Sequence, residues 1–187
     1  MRLALSSPPA KNTLIKKMRG LNKFNASYFE KYRTTPVHIR PFSSKQTRIA
    51  KKIIATLRKQ LTEFKIFYLV RGSTAFKISG KGEVEVGVYP HPVDWQPVLD
   101  ALARYYGPPE NLEDHYARFN TSVEDREVEI IILKEHEAEI DINLHRYLLS
   151  HPKLLQDYEM IKQQFSFSKR EYMKAKNKFL SHVIDLI

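Results

Sequence analysis

The sequence contains no cysteine, and its first third contains almost no acid. With no cysteine among 187 residues, disulfides, thiolate metal sites and a thiol nucleophile are excluded, and a reducing, cytoplasmic location is expected. Glu30 is the single acidic residue among residues 1–62, which carry 15 Lys and Arg. Residues 63–187 carry 16 Lys and Arg against 20 Asp and Glu. Residues 1–62 therefore carry a charge of +14 and residues 63–187 a charge of −4, so the net charge of +10 comes from the first third of the chain. There it predicts either a solvated basic surface or binding to a phosphate-bearing polymer such as RNA or DNA.

Long hydrophobic runs and glycine-rich loops are also scarce. The longest branched apolar run, residues 130–133, is far shorter than the ~20 residues that cross a bilayer, so no membrane partner is expected. The chain has six glycines and no glycine-rich P-loop. Nothing in the sequence fixes the oligomeric state.

The pattern of apolar residues predicts one α+β domain behind a basic arm. Residues 1–36 show no sustained period and are predicted to form the arm, whose aromatic residues either dock on the core or stack on bases. Residues 37–187 are predicted to form a small mixed sheet with helices packed on one side and a helical C-terminal segment. The predicted elements are a helix from Ser43, a strand over 65–71, a strand over 83–89, a helix capped by Asp94, a hairpin of HYARFNT and REVEIIIL, and three final helices.

Two pairs of glutamates alternate with buried-type residues on these strands. Glu83 and Glu85 are two residues apart, so both side chains leave the same face of the strand, and Glu127 and Glu129 repeat the arrangement. If the two strands pair, four carboxylates meet and repel one another. Mg²⁺ or Mn²⁺, shared with a substrate's phosphates, would neutralise them. The alternative is that each pair lies on the solvated face of an exposed strand.

The turn Gly72-Ser73-Thr74 follows the first predicted strand directly. A glycine allows a phosphate to approach the backbone, and the hydroxyls and amides of Ser73 and Thr74 can bind phosphate oxygens. The motif by itself occurs in many loops. Between a strand and an acidic alternating strand, it favours a nucleoside triphosphate as ligand.

These residues resemble the GrpB family, within the DNA polymerase β-like nucleotidyltransferase superfamily. The resemblance covers about residues 37–187. Glu85 stands at the position of the family's aspartate, and Glu127-Val128-Glu129 stands where the family commonly has His-x-His. The other matching positions are Gly72-Ser73-Thr74, Lys81, Tyr116, Arg118, Tyr147-Leu148, His151-Pro152, Tyr158, Lys162, Tyr172, Lys176 and Phe179.

The resemblance implies a metal-dependent nucleotidyltransferase that transfers a nucleoside monophosphate from an NTP to a hydroxyl acceptor. Glu83 and Glu85 would bind two divalent ions, and Glu129, or Glu127 as runner-up, would complete the site. The implied phosphate-binding residues are Gly72, Ser73, Thr74, Lys81 and Arg118, and Tyr172 and Lys176 are either structural or face the substrate. Glutamate in place of aspartate leaves an altered or inactive site open. The alternative function is a catalytically inactive protein that binds RNA or DNA through its basic N-terminal region.

Overall fold

The computed structural model describes residues 26–187, and the first 25 residues of the predicted arm lie outside the described part. The helices and strands are a 3-10 helix Ala26–Lys31, α1 Ser44–Gln60, β1 Ile66–Arg71, α2 Gly72–Phe76, β2 Val84–Pro90, a 3-10 turn Pro92–Asp94, α3 Trp95–Tyr106, β3 Asn111–Glu113, β4 Tyr116–Val123, β5 Arg126–Leu133, α4 Glu135–Ser150, α5 Pro152–Gln164 and α6 Lys169–Ile184. The predicted order of elements is confirmed, with the short strand β3 as an addition.

The five strands form one mixed sheet in the order β1-β2-β5-β4-β3. β2 and β5 run parallel, while the other neighbouring pairs are antiparallel. The predicted hairpin of β4 and β5 is present, and it turns at Glu124 and Asp125, both at positive φ. Because β2 pairs directly with β5, the two acidic strands lie side by side at the centre of the sheet.

Helix α1 begins at a capping box. The Ser43 hydroxyl accepts the amide of Lys45, and the Gln46 side chain accepts the amide of Ser43, so amides that the first turn leaves unpaired are bonded. The apolar face of α1 then packs on the sheet through Ile49, Ile53 and Leu57, as its three- and four-residue spacing predicts.

Helices cover both faces of the sheet, which corrects the prediction that they pack on one side. Val86 and Ile130 face α1 and α3 in the main core. Ile131 and Leu133 point to the opposite face and pack against Ala138 of α4. The physical reason is the continuous apolar run of β5, because a strand buried on both faces needs a layer on each side. The α+β class itself is confirmed.

Residues 26–37 attach to the start of α6. Phe29 of the 3-10 helix is buried, and the Arg170 side chain donates to the carbonyl of Tyr32 at 3.2 Å. The Lys169 amide donates to the carbonyl of Thr35 at 2.8 Å. This part of the predicted arm therefore docks on the core. The domain boundary at residue 37 stays a prediction. Within residues 26–187, none of the helices has the length and apolar character needed to span a membrane.

Candidate functional site

A cavity of about 470 Å³ opens between the sheet and the C-terminal helices. Its floor carries Glu85 of β2 and Glu129 of β5, and its walls come from the 3-10 helix and from α4, α5 and α6. Three acidic residues line it, Glu85, Glu129 and Asp141. Six basic residues do so: Lys31, Arg71, Lys81, Arg118, Lys169 and Lys176. Positive charge is in excess, which suits an anion.

Glu85 and Glu129 are register partners on the parallel strands β2 and β5, so their side chains share one face about 4.8 Å apart at the backbone. Burial raises the pKa of Glu129, and the neighbouring Glu85 carboxylate raises it further. Burial also opposes ionisation of Glu85, but the positive charges of Lys176 and Arg71 outweigh it and hold the pKa of Glu85 below its usual range. The two carboxyl groups are therefore electrostatically unequal, and Glu85 is the one that stays ionised.

Arg71 closes one wall of the cavity through a buried ion pair. Its Nη2 donates to Asp141 Oδ1 at 2.8 Å, and the Tyr89 hydroxyl donates to Asp141 Oδ2. Together these contacts hold the guanidinium at the end of β1, beside Glu85 on β2. In the described part of the chain, Arg71 Nε and Nη1 are buried and have no hydrogen-bond partner. Both nitrogens are closed to solvent, so they offer no donor to a molecule in the cavity.

His145 of α4 is buried beside this ion pair. Its Nδ1 lies 2.7 Å from the carbonyl oxygen of Asp141, and its Nε2 accepts the amide of Gly72 at 3.2 Å. We assign the proton to Nδ1 from these two contacts, because a carbonyl only accepts and an amide only donates. Burial lowers the pKa of His145, which agrees with a neutral ring.

The Gly72-Ser73-Thr74 motif opens the short helix α2 and contributes one residue to the cavity. Gly72 lines it, but its amide is already bonded to His145. Ser73 packs on Gly80, where an added Cβ would lie 2.2 Å from Ser73 Oγ. Thr74 is buried, away from the cavity lining. The structure thus places the two hydroxyls of the motif outside the cavity.

Gly72 is required at its position for two reasons. Its φ is 58°, and an added Cβ would lie 2.9 Å from Glu85 Oε2. We expect the positive φ alone to cost Gly72→Ala about 1–3 kcal/mol of unfolding free energy.

The contact with Glu85 should add to this cost, because the methyl group displaces the Glu85 carboxylate. Urea denaturation measures the added part when Gly72→Ala is made in the wild type and in Glu85→Ala. Equal losses in the two backgrounds would show that the contact between Gly72 and Glu85 adds no constraint.

The remaining carboxylates of the predicted metal site, Glu83 and Glu127, lie outside the cavity lining. Glu83 Oε1 is 2.5 Å from Lys81 Nζ, so its charge is taken by an ammonium group. Glu127 is exposed and faces Ser122 across the hairpin. Among residues 26–187 no group of three or more His, Cys, Asp or Glu side chains is arranged to hold a metal ion. These side chains do not form a site for two divalent ions, and metal binding stays a prediction.

Of the two substrate-facing candidates, Lys176 lines the cavity, whereas Tyr172 is buried in the wall behind it. The electrostatic effect of Tyr158, followed by those of Tyr172 and Glu85, holds the pKa of Lys176 above its usual range. It outweighs burial, which acts to lower this pKa. Lys176 is therefore charged at neutral pH, and it lies where it compensates Glu85.

Arg118, a predicted phosphate-binding residue, also lines the cavity, but acids engage part of it. Its Nη2 is 2.7 Å from Glu110, and its Nη1 is 3.3 Å from Glu129. Its Nε is buried and has no partner among the described residues.

Sequence reasoning missed Arg71, Asp141 and the 3-10 helix as parts of the site. A signal existed for Asp141, because it precedes His145 by one helical turn, which places the two polar groups on one face of α4. Arg71 is the charged end of an otherwise buried strand, and sequence alone does not show where such a charge finds its partner.

Comparison with known proteins supports the fold. The conserved protein GrpB from Enterococcus faecalis matches with a TM-score of 0.64 and 15% identity, over 80% of this chain and 98% of that chain. A structure described as a cytoplasmic RNA terminal U-transferase matches with a TM-score of 0.40 and 11% identity, over 73% of this chain and 44% of that chain. No family model and no curated protein matches. The chain has the fold of GrpB.

Proposed function

We propose that this protein binds a nucleotide in the cavity, through the phosphate groups. The observation that carries the proposal is the charge of the cavity, which is lined by six basic and three acidic residues. An anion balances this excess of positive charge. Phosphate groups suit the cavity, because lysine binds them as a point charge and arginine binds them through its forked guanidinium group.

The size and the walls of the cavity favour a nucleotide over free phosphate. A volume of about 470 Å³ falls in the range of small-molecule sites, roughly 300–1,000 Å³. Tyr28, Tyr32 and Tyr158 add aromatic rings to its lining. Aromatic rings stack on any nucleobase, so they supply affinity without fixing the identity of the base.

Metal-dependent transfer of a nucleoside monophosphate to a hydroxyl acceptor is the finer function that the resemblance implies. It needs ions held by several carboxylates, and Glu83 and Glu127 lie outside the cavity lining. We therefore propose nucleotide binding only.

Replacing Lys176 by methionine tests the proposal. The change keeps the length of the side chain and removes the charge that we expect to contact the phosphates. We expect affinity for ATP and for inorganic triphosphate to fall by about 10- to 100-fold, the equivalent of one charge-assisted hydrogen bond.

Lys178→Met is the matched control for Lys176→Met, because Lys178 lies on the same helix and is exposed. Isothermal titration calorimetry of the wild type and both variants gives the comparison. Equal affinities for the wild type and Lys176→Met would remove the cavity as the phosphate site.

A second candidate function, binding to RNA or DNA, rests on the outer surface of α1. This helix contains six Lys and Arg and no acid, and most of these side chains are exposed. α1 lies on the face of the sheet opposite the cavity, so the two surfaces are separate. A basic helix surface of this kind binds phosphate backbones without reading sequence.

Lys51 and Arg58 lie two turns apart on this surface, and both are exposed. We expect the double change Lys51→Gln and Arg58→Gln to lower the salt dependence of RNA binding, log K against log [salt], by about 2. Lys153→Gln on α5 is the control. An unchanged slope would exclude the α1 surface as the binding site.

A further inference from the structure

We infer that the cavity holds a nucleotide's phosphates with its own lysine and arginine side chains in the places of divalent cations. The inference rests on the proposed function and names the chemistry by which the same site would recognise its ligand: a fully ionised, metal-free polyphosphate.

Resident cations already neutralise the carboxylates that would otherwise take ions. Lys81 Nζ is 2.5 Å from Glu83 Oε1, and Arg118 Nη1 is 3.3 Å from Glu129 Oε1. A divalent ion binding to either carboxylate would have to displace an ammonium or guanidinium group and would be repelled by it. Each acid is therefore a counter-charge to a basic residue.

Lys176 occupies the central position. It lies in the cavity wall, where its positive charge and the negative charge of Glu85 stabilise each other. Its ammonium group has three N–H donors and no acceptor, so it can donate hydrogen bonds to phosphate oxygens. A point charge on a buried stem is a general phosphate ligand.

Arg71 adds a second fixed charge. It lines the cavity, and Asp141 holds its guanidinium group by one edge. A divalent cation is repelled by this group and a phosphate is attracted to it, so the charge favours an anion as the occupant.

In this arrangement the glutamates are counter-charges to basic side chains and do not bind metal ions. If Glu85 holds an ion, its neutralisation weakens nucleotide binding. If Glu85 is a counter-charge beside the phosphates, its neutralisation removes a repulsion and strengthens binding. The sign of the effect separates the two roles.

The first experiment measures ATP binding to the full chain by calorimetry, in excess EDTA and in excess Mg²⁺. We expect ATP to bind at least as tightly in EDTA as in Mg²⁺, because Mg²⁺ complexes the phosphates and lowers their charge. A loss of about 100-fold in EDTA would overturn the inference and leave nucleotide binding in place, since a metal-bridged site needs the ion. Absence of binding under both conditions would instead overturn the proposed function.

The second experiment repeats the titration in EDTA with Glu85→Gln, an isosteric change. We expect affinity for ATP to rise by about three- to tenfold, because one negative charge is removed beside the phosphates. Unchanged or weaker binding contradicts the counter-charge role. Glu127→Gln is the control, because Glu127 is exposed and lies outside the cavity lining. Should Glu85→Gln fail to fold, Glu129→Gln carries the same expected sign.

Discussion

Replacing Asp141 by alanine is expected to lower the free energy of unfolding by about 3–5 kcal/mol, the usual cost of removing one partner of a buried ion pair. The Asp141 side chain is 1% exposed and accepts from Arg71 and Tyr89. Without it, the Arg71 guanidinium stays buried with no counter-ion at hydrogen-bond distance. Urea denaturation at neutral pH measures the loss.

Two further variants separate the ion pair from general damage to α4. Glu139→Ala changes an exposed acid on the same helix and should stay within about 0.5 kcal/mol of the wild type. The double change Arg71→Met and Asp141→Leu should recover much of the loss, because no unpaired charge remains. If Asp141→Ala costs less than about 1 kcal/mol, the pair does not hold Arg71 in place.

The second large effect is a pH dependence that comes from Lys162. This lysine is buried and donates to the carbonyl oxygen of Ser79, and burial lowers its pKa to about 8, with a further decrease from the charge of Lys176. Because the pKa is lower in the folded state, the unfolded chain binds more protons between pH 8 and 10.5. Stability should therefore rise with pH across that window.

The expected gain from Lys162 is on the order of 2–3 kcal/mol between pH 7 and pH 10. Comparison with Lys162→Met isolates it, since the other titrating groups are common to both proteins. The difference in unfolding free energy between the wild type and the variant should shift in favour of the wild type as pH rises. A difference that is constant with pH would show that Lys162 binds its proton equally in both states. Lys153→Met, an exposed lysine on α5, should stay within about 0.5 kcal/mol of the wild type at pH 7.

Most of the fold follows from local periodicity. The alternation of Glu and Val places Val84 and Val86 in the core and Glu85 on the opposite face, as observed. The strand β3 was not predicted, because three residues are too few to show a period. The position of α4 on the second face follows from pairing between distant strands, and spacing along the chain does not contain that information.

The site was predicted in part. Glu85, Lys81, Arg118 and Lys176 do line one cavity. What the sequence did not show is how the charges are paired. An alternation of glutamates indicates repulsion that something must neutralise, but a metal ion and a lysine from a distant helix satisfy that need equally well. The choice depends on α6 placing Lys176 in the same cavity as Glu85, which is a tertiary arrangement.

The cavity draws its walls from nearly the whole described chain, from Tyr28 on the 3-10 helix to Leu180 on α6. A bound ligand therefore bridges segments that separate when the protein unfolds, and its binding energy adds to global stability. At a concentration of 100 times Kd the gain is about 2.7 kcal/mol. For a chain of this size, each kcal/mol raises the melting temperature by roughly 2–4 °C. A melting-temperature screen across nucleotides and other polyphosphates can thus identify the natural ligand without an activity assay.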